Sequence, residues 1–315
     1  MSSKFGSMLS ESNQLVRIII LAGVLLVLLA VAFGSYYYFD RYYSPDQPEV
    51  QEMNVAQAEQ AVRDNPQDVE KRLALAETYM FATQFEEAIA QVNQVLIADP
   101  ESQRAWLVLG VSSTSLGKPA DAIEPLTKFI NARKDEEMPG LDKSLQAAAY
   151  YLGESYLQLG RPQEAIEPLT QAVNWSMTDA DSMYKLGMAY LAVQDYPKAI
   201  EMFESATAFV PNYLEAYQAM AQAYDAEGKP EYGDFARGMA AYANKDYQTA
   251  VDLLLKAAQA LPDFPMVYAG LGLAYEGLGD LQAAMEAYHS ALRIDPNNFA
   301  ANTGIERVDA QLGGQ

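Results

Sequence analysis

Between residues 265 and 298 apolar side chains recur at helical spacing twice over. Tyr268, Leu271, Gly272 and Tyr275 come first and Ala284, Tyr288 and Ala291 follow, with Gly279-Asp280 between the two sets and Asp295-Pro296 after them. Spacings of three and four residues place side chains on one face of a helix, and Gly-Asp and Asp-Pro break helices. The stretch therefore predicts a helix, a tight turn and an antiparallel helix. Small residues (Gly272, Ala284, Ala291) alternate with large ones (Tyr268, Leu271, Tyr275, Tyr288), so each ring on one helix can sit over a gap on its neighbour. One such pair buries too little surface to fold alone, which predicts that the pattern repeats.

It does repeat. A Leu-Gly-like step falls at Leu75-Ala76, Leu109-Gly110, Leu152-Gly153, Leu186-Gly187, Met220-Ala221, Arg237-Gly238 and Leu271-Gly272. Four of the intervals, 75 to 109, 152 to 186, 186 to 220 and 237 to 271, are 34 residues. A second-helix alanine keeps step at Ala88, Ala122, Ala165, Ala199, Ala250 and Ala284, and Tyr79, Tyr156, Tyr190, Tyr224 and Tyr275 fill one aromatic place. Pro100, Pro211, Pro262 and Pro296 close four of the units. Length, residues and order resemble the tetratricopeptide repeat, W-x2-L-G-x2-Y, then A-x3-F, then P, with Tyr268 in the Trp place and Tyr288 in the Phe place. The resemblance implies an all-α, TPR-like α-solenoid, a right-handed superhelix of about six helical hairpins over residues 53–315, whose repeat residues are core. It also implies a binding surface without naming the partner.

Two intervals depart from the pattern. Leu109 to Leu152 is 43 residues, and the excess lies in RKDEEMPGLDK, a charged insertion near residues 131–144. Met220 to Arg237 is 17, half a unit, so near residues 214–245 either a second helix is lost or one helix serves two neighbours. Met53 to Asp64 resembles a second helix without its first, and it is expected to cover one end of the array. At the other end FAANTGIERVDAQL predicts a capping helix with Ile305, Val308 and Leu312 on the packed side.

The start of the chain has another character. Residues 1–14 are small and polar, whereas residues 18–34 read IIILAGVLLVLLAVAFG, and no charge appears before Asp40. At ~1.5 Å per residue an uncharged helix of this length crosses a hydrocarbon core of ~30 Å. Tyr36, Tyr37, Tyr38, Phe39, Tyr42 and Tyr43 follow it as a headgroup-level girdle. Residues 15–39 are therefore read as one N-terminal transmembrane helix, a signal-anchor of membrane-anchored bacterial type. The alternative is cleavage of residues 1–32 at Ala30-Val31-Ala32. Lys4 and Arg17 against Glu11 keep residues 1–14 in the cytoplasm, which places the array outside the cell membrane's cytoplasmic face, in a periplasm or at the cell surface. Residues 40–52, with Pro45 and Pro48, form a linker.

Composition narrows the function. Against 21 basic residues stand 42 acidic ones, for a net charge of -21, which disfavours nucleic acid. With no Cys there is no thiolate nucleophile, disulfide or Cys zinc site. The one His, His289, follows Tyr288 on an outward face. Glu286 stands three residues before it, but ligands from other helices would be needed for a metal. Gly270-Leu271-Gly272 has no strand before it and reads as helix packing rather than a phosphate loop. Glu86-Glu87 and Glu136-Glu137 read as solvated surface, and Trp106 and Trp175 as packing residues. No catalytic residue, cofactor, metal or small-molecule substrate is expected, and an envelope enzyme would need a domain that the repeats leave no room for.

The family resemblance implies a groove lined by first helices. Its places fall on Leu73 and Met80, on Leu107 and Val111, on Tyr150, Glu154 and Leu157, on Tyr184, Met188 and Leu191, and on Phe235, Met239 and Tyr242. The family's best-known clamp grips a carboxylate with Lys and Asn, and here Arg104 and Lys185 are the nearest basic candidates. The expectation is an apolar, Met- and Tyr-rich groove that takes an amphipathic helix or an extended apolar segment of a protein partner. The chain then acts as a scaffold or assembly factor, or as a transient chaperone of exported or cytochrome-type clients.

Overall fold

The computed structural model describes residues 50–135 and 141–313, all of whose regular elements are α-helices. They are α1 (Val50–Asp64), α2 (Val69–Phe81), α3 (Phe85–Ala98), α4 (Gln103–Ser115), α5 (Pro119–Arg133), α6 (Lys143–Gln158), α7 (Pro162–Trp175) and α8 (Ala180–Ala192). They continue as α9 (Tyr196–Phe209), α10 (Leu214–Glu227), α11 (Pro230–Ala243), α12 (Tyr247–Ala260), α13 (Pro265–Leu278), α14 (Leu281–Ile294) and α15 (Phe299–Gly313). Residues 58–315 belong to one compact unit. The expected membrane helix at residues 15–39 lies outside the described residues, among which no helix is long and apolar enough to cross a membrane.

Local chemistry accounts for the helix starts. Asp68, Asp142, Asp246 and Asp280 each turn a carboxylate oxygen onto backbone N–H groups of the first turn that would otherwise lack partners. Proline occupies the first turn of α5, α7, α9, α11 and α13, where its missing N–H costs nothing. The helices stack as hairpins, and the core runs as a row of small residues meeting large ones. Gly110 lies against Leu126, Gly153 against Leu169, Gly187 against Phe203 and Gly238 against Leu254. In each pair the large residue stands sixteen places further on.

The turns resolve the short interval. Between the helices of a hairpin one residue adopts a left-handed backbone: Thr83, Gly117, Gly160, Gln194, Gly228, Lys245 and Gly279, with φ from 59° to 83°. Gly228 and Lys245 flank α11 on its two sides. Helix α11 thus belongs to two hairpins at once, second helix to α10 and first helix to α12. At the place where the other units put a large apolar residue against the small one, α11 carries Arg237. Its guanidinium pairs with Asp225 of α10 at 2.7 Å and with Asp234 at 2.8 Å, and Asp234 takes Lys256 of α12 at 2.8 Å. A chain of charges across three helices replaces the missing plug.

The long interval is held at its base. Arg133, the last residue of α5, pairs with Asp142 at 3.1 Å and stacks over the Phe129 ring at 5.4 Å, while Asp142 also caps α6. At the carboxyl end α15 packs through Ala301, Gly304 and Val308. Ile305 is half-buried, but Leu312 is 48% exposed, contrary to the expected seam, because the last turn of α15 is exposed throughout.

Candidate protein-binding face

The thirteen residues assigned to a groove separate by burial. Leu73, Val111, Phe235 and Met239 are buried. Phe235 meets the Phe264 ring edge-on at 5.1 Å, and the Met239 sulfur lies against Gly270 of α13. Their side chains fill space between neighbours. Met80, Leu107, Tyr150, Glu154, Leu157, Tyr184, Met188, Leu191 and Tyr242 are half-buried, each with surface left over.

The basic candidates are both paired with acids on the preceding first helix. Arg104 on α4 holds Glu77 at 2.6 Å and Glu70 at 3.1 Å, and Lys185 on α8 holds Glu154 on α6 at 2.8 Å. They join successive first helices, as does the buried Thr114 to Ser155 hydroxyl contact of 2.7 Å between α4 and α6. Neither cation stands free to clamp a carboxylate.

Where α6 meets the start of α8, four tyrosines gather. Tyr150 and Tyr151 sit edge to face at 5.2 Å, and the Tyr184 and Tyr213 rings lie 5.2 Å apart. The Tyr213 hydroxyl donates to Asp181 at 2.8 Å, and Asp179 accepts from the Ser182 hydroxyl. Tyr150 and Tyr151 line an open recess of about 540 Å³ with Lys143, Gln146, Ala147, Ser176, Asp179 and Asp181. Burial, reinforced by the Glu154 and Asp181 carboxylates, pushes the Tyr150 hydroxyl well above the ordinary tyrosine range. Burial followed by the hydrogen bond to Asp181 does the same to Tyr213.

These carboxylates are not legible from apolar groove places: Asp179 precedes α8, and Asp181, although it falls at the groove place one turn before Tyr184, is an acid on a face read by its rings and thioethers. A usable signal was there in the aspartates that bracket Ala180 beside Tyr150, one unit away. The next first helix, α10, is different again. Glu215, Gln218, Gln222 and Asp225 form its exposed polar stripe.

The tryptophans pack. Trp106 is 7% exposed and donates to the Pro100 carbonyl, and the Trp175 carbonyl receives the Gln146 amide. His289 is exposed, and among the described residues no group of three or more His, Asp or Glu is placed to hold a metal ion.

Three models described as tetratricopeptide repeat match this chain, over residues 265–298, over 73–137 with 142–182, and over 181–213. Heat shock protein STI1 of Saccharomyces cerevisiae is 28% identical over 130 residues, 41% of this chain and 19% of that protein. Small glutamine-rich tetratricopeptide repeat-containing protein 2 of the same yeast is 36% identical over 76 residues, 24% of this chain and 22% of that one. The chain thus spans about a fifth of the length of either relative. Among solved structures, the MamA protein superposes with a TM-score of 0.50 at 27% identity, covering 57% of this chain and 93% of its own. The matched segments, taken with helices that pair in the same 34-residue rhythm, lead to one assignment: the chain belongs to the tetratricopeptide-repeat family.

Proposed function

We propose that this protein is a non-enzymatic scaffold that holds a protein segment against its first helices. The observation that carries the reading is the run of half-buried Leu107, Tyr150, Leu157, Tyr184, Met188 and Leu191 along α4, α6 and α8. Thioethers and rings that are already partly desolvated bury further area on contact at little cost in ordering, and they do not impose one partner sequence. Residues 15–39 anchor the chain in a membrane with residues 1–14 in the cytoplasm and the array on the other side. The apolar run, the aromatic girdle and the Lys4/Arg17 bias support that placement.

A photo-crosslinking residue at position 188 of the full chain tests the binding face in cells. Crosslinked adducts at 188, absent when the probe sits at exposed position 289, are expected. Equal labelling at both would move the site elsewhere. Adducts of one partner in fixed ratio indicate a permanent subunit, and many substoichiometric adducts a chaperone. Sequencing the mature amino terminus tests the anchor, and a start at Phe33 would overturn it.

A further inference from the structure

Resting on that binding face, we propose that the recess between α6 and the start of α8 receives a lysine or arginine side chain of the bound segment. A cation is attracted both by the faces of aromatic rings and by carboxylates, and the two attractions add when ring and acid border one open space. The recess has both, with Tyr150 and Tyr151 on one side and Asp179 and Asp181 on the other, and its volume of about 540 Å³ accepts a long side chain. Asp179 and Asp181 are engaged by the Ser182 and Tyr213 hydroxyls, neutral donors that orient a carboxylate and leave its charge in place.

The nearby cations do not cancel that charge from within. Lys185 is spent on Glu154. Lys143, the one cation among the described residues lining the recess, is exposed at its rim. Beyond the recess the negative sign continues at the exposed Glu215 of α10, and the whole chain carries -21. An acidic or purely apolar segment meets repulsion or an unfilled polar site here, whereas a basic residue flanked by apolar ones fills the recess while its neighbours cover Leu157 and Met188 further along α6 and α8.

The test uses the full chain in detergent micelles and a random dodecamer peptide library displayed on phage. Enrichment of Lys or Arg beside apolar residues is expected. The selected peptide, remade synthetically, should bind roughly tenfold or more weakly to the Asp179→Asn/Asp181→Asn double variant, and as weakly when its basic residue becomes norleucine. It should bind more tightly to Lys143→Gln. The Asn replacements keep shape and hydrogen bonding, and unchanged helicity and melting would confirm that only charge was removed. Apolar peptides without a basic residue, indifferent to the double variant, would overturn the cation site and leave the scaffold intact. Selection of acidic peptides would overturn it too. If no peptide is retained while crosslinks form at position 188, the cation site fails and the face stands; if both are absent, the face itself fails.

Discussion

At the scale of single residues the most constrained point is the ring of Tyr288. It is fully buried between Gly272 of α13 and Gly304 of α15, and a β-carbon at either glycine would overlap it. Its hydroxyl donates to Glu276, and Arg307 closes the group by pairing with Glu276 at 2.7 Å. Gly304→Ala should therefore destabilise by about 1–3 kcal/mol, the usual cost of overpacking, although alanine favours helix elsewhere. Denaturant unfolding checks this, and an unchanged midpoint would show that α15 is free to shift. Buried hydroxyls also set an alkaline limit. Burial pushes Tyr217 up to about 12 from an ordinary 10, and burial with the bond to Glu59 does the same for Tyr79. A tyrosine raised on folding holds its proton more tightly in the native state, so its stabilisation is complete below pH 10. It is lost as pH rises through about 12. Thermal melting should be level up to about pH 10 and then fall, while Tyr217→Phe should soften the fall.

At the scale of helices, the arithmetic of 34 and the pairing of small with large residues were legible in the sequence because each unit repeats the same contact. Gly272 and Tyr288 alone imply a hairpin. What stayed illegible depends on neighbours rather than on the unit. Phe235 and Met239 occupy groove places by count, yet α13 and the turn before it cover them. The double role of α11 was open as one of two alternatives. The decisive signal, residues with left-handed backbone on both its sides, is hidden where the residue is Lys245 rather than glycine. The terminal helix behaves alike: Val308 is packed as its spacing predicts, but Leu312 is not, since the last described turn of α15 is exposed on all sides. Removing residues 299–315 should uncover Tyr288 and Ala291 and leave Glu276 without Arg307. A melting temperature several degrees lower and concentration-dependent association are expected. Intact melting and a monomer in light scattering would mean that α15 caps nothing.

For the molecule as a whole, the exposed polar stripe of α10 marks where one row of first helices ends, and α11 begins the next. Successive helices joined by short turns run antiparallel. Counting α11 twice as a partner but once in the chain makes the step between successive first helices, α10 to α11, one helix instead of two. First helices before it therefore point one way and those after it the other. The turns at Pro100 and Pro211, which join units, share an edge with the turn at Gly279, which lies inside one. Those at Pro262 and Pro296 share the opposite edge with Gly117. Because the chain has no Cys, paired spin labels can be introduced without background. Labels at 211 and 246 should report one edge, and labels at 211 and 262 a separation of about one helix length, roughly 20 Å. The reverse order of distances would mean that the parity is conserved through α11.

That parity has a consequence for how such a chain can change. Two copies of the ordinary unit can be gained or lost without disturbing the rest, since each brings an even number of helices. Loss of α11 alone would bring every later unit into the same orientation as those before it, and the loops of that half would exchange sides. The seventeen-residue step is thus a one-helix switch in polarity that point substitution does not reach. It divides the array into two parts of opposite polarity, with α11 the seam between them.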